Sequence, residues 1–257
     1  MLKISGKEGR PYSLLFRGVS FSIPYEVGVV AALQNLSPDI LKSASRIYGS
    51  SSGSIVNDCF ALLCFASDEV MEYGVAHVKT SLLGLVPGGR MIRLLRRLLN
   101  KFLPPNAHEL VSGKLHIILT RLHDWRSVTV SEFASREELI QAVVCSCFIP
   151  LYFGLSPPTF RGVVSSFVVW RHCPSSGPGP LQPLADFVSR STITVSAFAG
   201  EYDICPKDGP LHLQAVGAMS PLQQPSCPDC HLPLQVMNHF YIQGYQDTVS
   251  FLKKLSK

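Results

Sequence analysis

Charge is scarce in this chain: Asp, Glu, Lys and Arg together make up 16% of its 257 residues, against 46% hydrophobic. That balance excludes a disordered or heavily solvated polymer and fits a protein that works beside something apolar. The net charge of +5 is not gathered into dense Lys/Arg clusters with interleaved aromatics, so no nucleic-acid partner is expected. No run approaches the ~18 apolar residues of a membrane span; the longest candidate, Ile55 to Ala66, is broken by Asn57 and Asp58. The first ten residues lack the apolar core of a secretory signal, which leads to the expectation of a cytoplasmic chain. Its eight cysteines are then expected as reduced, mostly buried thiols. Cys227-Pro228-Asp229-Cys230-His231 has no second C-x-x-C to complete a zinc site, so it reads as a turn, and no metal or cofactor is expected. Internal repeats are also missing.

What is present is an alternation of strand and helix. Residues 1–12 read as a polar tail. Ser13 to Phe16 is a short apolar strand ending at Gly18, and Val27, Val30, Ala31 and Leu33 recur at helical spacing over Tyr25–Leu33, with Gly28 as a close-packing position. Ser37-Pro38 opens a short helix to Lys42. Arg46-Ile47-Tyr48 is the next strand, and Ser54 to Phe65 the helix after it. Leu115–Thr120, Ser127–Val130 and Thr192–Ser196 follow as strands, the first two separated by a turn at His123-Asp124. Ser135 and Glu138 have capping-box spacing before a helix over Leu139–Cys147. An amphipathic helix from Gln243 to Lys254 closes the chain. Val163 to Ser189, with Ser175-Ser176-Gly177-Pro178-Gly179-Pro180, and Pro221 to Pro233 can hold neither helix nor strand. This order predicts an α/β protein with a parallel sheet.

One stretch carries chemistry. Gly49-Ser50-Ser51-Ser52-Gly53 has Gly-x-Ser-x-Gly spacing, in which a strand turns sharply into a helix and presents one strained serine, here Ser51. Gly49 and Gly53 let strand and helix pass where a Cβ would collide. A Gly/Ser-rich surface turn gives the same five letters. A serine nucleophile also needs donors for the oxyanion formed on attack. The best candidate is the loop Phe16-Arg17-Gly18-Val19-Ser20-Phe21-Ser22, which precedes a helix. A dinucleotide fingerprint would need three glycines, and only Gly18 is there. Arg90 to Phe102 places Arg93, Arg96, Arg97 and Lys101 among leucines, either a basic amphipathic helix for a lipid surface or an ordinary surface helix with solvated arginines.

Leu15-Phe16-Arg17-Gly18, Tyr25-x-x-Gly28 and Gly49 to Gly53 together resemble the patatin-like phospholipase family, adiponutrin and adipose triglyceride lipase subgroup. The resemblance continues through Leu103–Leu110 and Leu119-Thr120-Arg121, is strongest over Cys145–Gly162, and returns over Thr192–Pro206. It implies a three-layer α/β fold, a mostly parallel central sheet with helices on both faces. It also implies a Ser–Asp dyad that cleaves or transfers acyl groups of lipids. Carried over, Ser51 matches the nucleophile, and Gly18, Val19 and Ser20 match the oxyanion loop, with Ser20 where the family has its second glycine. The family's Asp-Gly should follow Val163 within a few residues, but the chain runs Val164-Ser165-Ser166-Phe167 instead. Asp186 is the sole aspartate between residues 162 and 190 and is the candidate substitute base. His172 could in principle pair with Ser51, although a solvated loop histidine is the simpler reading.

The implied organisation is a tail at 1–12, a patatin-like domain over 13–206 with a divergent, irregular 163–189, and a shortened segment at 207–257 ending in a helix. The implied activity is that of a lipid acyl hydrolase or transacylase acting on acyl lipids at a droplet or membrane surface, with a protein co-activator as a further partner. The alternative is a catalytically impaired lipid-surface or regulatory member, or a non-productive form, because the dyad aspartate is missing.

Overall fold

Leu14, Leu15 and Phe16 are all buried in β1 (Ser13–Arg17), as expected for a strand covered on both faces. The computed structural model describes residues 12–18, 23–61, 90–124, 126–148, 156–166, 191–198, 200, 202–207 and 232–256. After β1 come α1 (Ile23–Leu36), α2 (Pro38–Ser43), β2 (Arg46–Ser50) and α3 (Ser52–Ala61). Next are α4 (Arg90–Phe102), α5 (Ala107–Val111), β3 (Leu115–Arg121), β4 (Ser127–Val130) and α6 (Arg136–Cys147). The chain then forms β5 (Thr159–Phe160), β6 (Val163–Ser166), β7 (Thr192–Ser196) and α7 (Leu232–Leu255).

The sheet is mixed, in the order β5-β6-β3-β2-β1-β7, with β4 also pairing β3. β3, β2, β1 and β7 run parallel, whereas β4, β5 and β6 add antiparallel pairings. Parallel register puts Leu14, Ile47 and Leu115 in one row and Phe16, Gly49 and Ile117 in the next. These rows form one continuous apolar face. Tyr25, Val29 and Leu33 of α1, Val56 of α3, and Phe240 and Leu252 of α7 cover its β1–β7 half. Leu139, Ile140, Val143 and Val144 of α6, with Leu99 and Leu103 in and after α4, cover its β3 half. The opposite face carries Leu15, Tyr48 and Ile118, also buried; none of the described helices contributes to that cluster.

Helix α6 begins at the expected cap. Ser135 Oγ accepts from Glu138 N at 3.1 Å, while the Glu138 carboxylate reaches back to Ala134 N at 2.6 Å. Burial keeps the Cys145 thiol in this helix protonated, its pKa pushed up to about 12.

The closing helix differs most from expectation, because it starts at Leu232 rather than near Gln243. Pro233 is no obstacle in a first turn, where no N–H is needed for the ladder. α7 lies directly on α1. A Cβ at Gly28 would come within 2.1 Å of the Tyr241 carbonyl oxygen, and one at Gly244 within 2.1 Å of the Tyr25 carbonyl oxygen. Only paired glycines allow two helix backbones this close.

Candidate active site

β2 ends at Ser50 and α3 begins at Ser52, so Ser51 alone makes the turn between them, with φ of +54°. A serine held in the left-handed region costs roughly 1–2 kcal/mol, and the surroundings hold it there. Ser54 donates to the Ser51 carbonyl through both its N–H, at 2.9 Å, and its hydroxyl, at 2.5 Å. The Ser51 N–H donates to Ser146 Oγ at 2.9 Å, and that hydroxyl in turn donates to the Ile118 carbonyl at 2.8 Å. Ser51 and Ser52 are each 2% exposed, and Ser54 and Ser146 are fully buried.

The expected glycines take the expected places. Gly49 lies in β2 between Phe16 and Ile117. A Cβ on Gly53 would sit 2.4 Å from the Phe16 carbonyl oxygen, and one on Gly18 would sit 2.1 Å from Gly53 N and from Ser52 Oγ. The loop after β1 therefore passes directly against the start of α3. The site lies at the carboxyl ends of parallel strands, where open α/β sheets bind ligands. Gly18 N–H donates to the Ser50 carbonyl at 3.1 Å, extending the β1–β2 ladder by one bond. Gly18 thus contributes closeness of approach, and its N–H is engaged with β2. Ser52 is the first residue of α3.

Val19, Ser20, Asp186, His172 and Cys227–His231 lie outside the described residues. Among the described residues, Ser51 Oγ makes no hydrogen bond to a carboxylate or imidazole, and no group of three or more His, Cys, Asp or Glu converges as a metal site. Asp203 is engaged locally: its Oδ2 accepts from both the N–H and the hydroxyl of Thr194, each at 2.8 Å. Arg17 donates to the Tyr202 hydroxyl.

On α4, Leu94 and Leu99 are buried while Arg93, Arg97 and Lys101 are exposed, four positions apart. Arg96 turns toward α6 and donates to Gln141 Oε1. None of the described helices is long and apolar enough to cross a membrane.

Two contributors are not visible as motifs. Ser146 is a small polar residue in an otherwise apolar helix, and only its full burial marks it. Ser54 follows Gly53 closely enough to pass for part of the turn.

The patatin-like phospholipase family model matches residues 14–168. Human omega-hydroxyceramide transacylase is 38% identical over 98% of this chain and 47% of its own length. Human 1-acylglycerol-3-phosphate O-acyltransferase PNPLA3 is 36% identical over 95% of this chain and 51% of its own. Mouse patatin-like phospholipase domain-containing protein 2 is 34% identical over 95% of this chain and 50% of its own. The chain thus spans about half the length of these relatives. Among solved structures, VipD from Legionella pneumophila is 12% identical with a TM-score of 0.46, covering 95% of this chain and 67% of that one. With the family model spanning more than half of its residues, and relatives of similar sequence along nearly its whole length, this chain belongs to the patatin-like phospholipase family.

Proposed function

We propose that this chain cleaves or transfers acyl groups of lipid esters, with Ser51 as nucleophile. The observation that carries the reading is Ser51 itself, at φ +54° in a one-residue turn from strand to helix with Gly18 packed against it. In the proposed reaction Ser51 Oγ attacks the ester carbonyl carbon. Its proton passes to a base, and the carbonyl oxygen becomes an oxyanion. That oxyanion meets N–H groups of the loop at Val19 and Ser20, beside the positive end of α3. Collapse expels the alcohol, which takes the proton, and leaves an acyl-enzyme on Ser51. Water or an acceptor hydroxyl then takes the acyl group. Transfer to a hydroxyl is supported by the transacylase and acyltransferase names of two relatives.

Asp186 is assigned as the base, as the one aspartate between the two family-like halves of the sequence. The exposed Arg93, Arg97 and Lys101 stripe on α4 is assigned to an anionic lipid surface, a membrane or droplet on the cytoplasmic side. A protein co-activator would act at that surface. Each such cation is worth about 1 kcal/mol near an anionic leaflet.

A second reading, an acyl-lipid binder without turnover, draws on one observation. The chain leaves β6 at Ser166 into Phe167, not into Asp-Gly. A fluorophosphonate probe separates the two. Labelling that Ser51→Ala abolishes supports the enzyme, and equal labelling of both proteins overturns it. Loss of ester hydrolysis in Asp186→Asn, with the fold intact, would identify the base.

A further inference from the structure

The Ser51 N–H donates to a side chain of another helix. It is 2.9 Å from Ser146 Oγ, and Ser146 lies in α6, ninety-five positions along the chain. The Ser146 hydroxyl is fully buried and uses both its capacities at once, accepting from Ser51 and donating to the Ile118 carbonyl of β3 at 2.8 Å. It therefore joins three elements, the β2–α3 turn, β3 and α6, through one oxygen.

α6 is well placed to be the fixed member of that joint. Its Val143 and Val144 are fully buried in the β3 half of the core. Gln141 Nε2 donates to the Thr159 carbonyl of β5 at 2.7 Å, and Glu138 pairs with Arg161 of the β5–β6 turn at 2.7 Å.

We propose that Ser146 is a positioning residue for the Ser51 nucleophile, fixing the left-handed backbone that aims its hydroxyl. This rests on the reading of Ser51 as the nucleophile. Ser54 holds the Ser51 carbonyl from within the same turn and would move with it. Ser146 holds the N–H from outside, so it ties the turn to α6 and, through Ile118, to the sheet. Because that N–H is committed to Ser146, it is not an oxyanion donor, which leaves the role to the loop after β1. An alanine at 146 fills the same space but leaves a buried N–H without its acceptor.

The test compares Ser146→Ala and Ser146→Thr with wild type, and with Val111→Ala as a destabilised control in α5. Amide hydrogen exchange at Ser51 is read by NMR, and fluorophosphonate labelling of Ser51 by mass spectrometry, both well below the unfolding transition. In Ser146→Ala, exchange at Ser51 should rise at least tenfold while Leu15 in β1 is unchanged, and labelling should slow by tenfold or more. Ser146→Thr, which keeps the hydroxyl, should recover part of both, and Val111→Ala should match wild type in both. Exchange and labelling equal in wild type and Ser146→Ala would overturn the assignment. Wild type left unlabelled, with faster Ser51 exchange still seen in Ser146→Ala, would overturn the nucleophile and leave Ser146 as the clasp of the turn.

Discussion

The hydroxyl of Tyr25 in α1 donates to Asp247 Oδ2 of α7 at 2.9 Å. Burial, and then the neighbouring carboxylate, push this phenol well above the ordinary tyrosine range. Removing the hydroxyl in Tyr25→Phe leaves the Asp247 oxygen without this donor. The expected loss is about 1–2 kcal/mol, measured by urea unfolding at neutral pH. Because the native phenol holds its proton where the unfolded one releases it, this contribution is present below pH 10 and falls as pH rises above it. Tyr25→Phe should lose less stability than wild type over that alkaline range.

Glycine to alanine in a helix normally stabilises by about 1 kcal/mol. At Gly28 and Gly244 the sign should reverse, since each new Cβ meets a backbone oxygen at 2.1 Å. Either substitution should destabilise by about 1–3 kcal/mol, the usual cost of overpacking. A midpoint in guanidinium that rises for either variant would show that the helices can separate without loss.

Ser51→Gly separates strain from chemistry. Glycine accepts φ of +54° without the steric penalty, so thermal unfolding should show a gain of roughly 1 kcal/mol. The same variant should lose all fluorophosphonate labelling.

Cys145 makes the alkaline limb informative. Desolvation raises its thiol from 9.0 to about 12, with Arg96 and Gln141 opposing. Above pH 9 the unfolded thiol loses a proton that the native one keeps, so stability should fall from pH 9 toward 12. Between pH 9 and 10, before tyrosines titrate, Cys145→Ala should show a shallower decline in chemical denaturation. Alkylation of Cys145 in native protein should be slow over the same range.

Glu138 should behave oppositely. Its bond with Arg161, and then the Ala134 N–H, hold its carboxyl below the usual glutamate value of 4.5. That contribution is present above pH 4.5 and disappears as pH falls through the lower native value. Glu138→Gln should cost about 1 kcal/mol at pH 7 and nothing in strong acid.

The parts readable from sequence were those with a local cause. β2, β4, β7 and α4 follow from apolar runs and periodicity, and the α6 cap from Ser135 and Glu138. The elbow followed from Gly49, Ser51 and Gly53. What sequence could not show depended on distant partners. Pro221 to Pro233 suggested a break up to Gln243, yet Pro233 falls in the one turn of α7 that tolerates it. Arg96 shares a spacing pattern with Arg93 and Arg97, but Gln141 forty-five positions away claims it. Ser146 has no local signature, and the bond from the Gly18 N–H to the Ser50 carbonyl depends on a strand thirty-two positions away.

The glycine crossing of α1 and α7 also sets an order of events on the ribosome. More than two hundred residues separate Gly28 from Gly244, and synthesis proceeds at roughly 5–20 residues per second. For about 10–40 s the side of α1 that α7 will cover has emerged with nothing of this chain to bury it. Tyr25 and Gly28 stand ready for a partner not yet made, and the arrival of α7 is the step that ends the exposure.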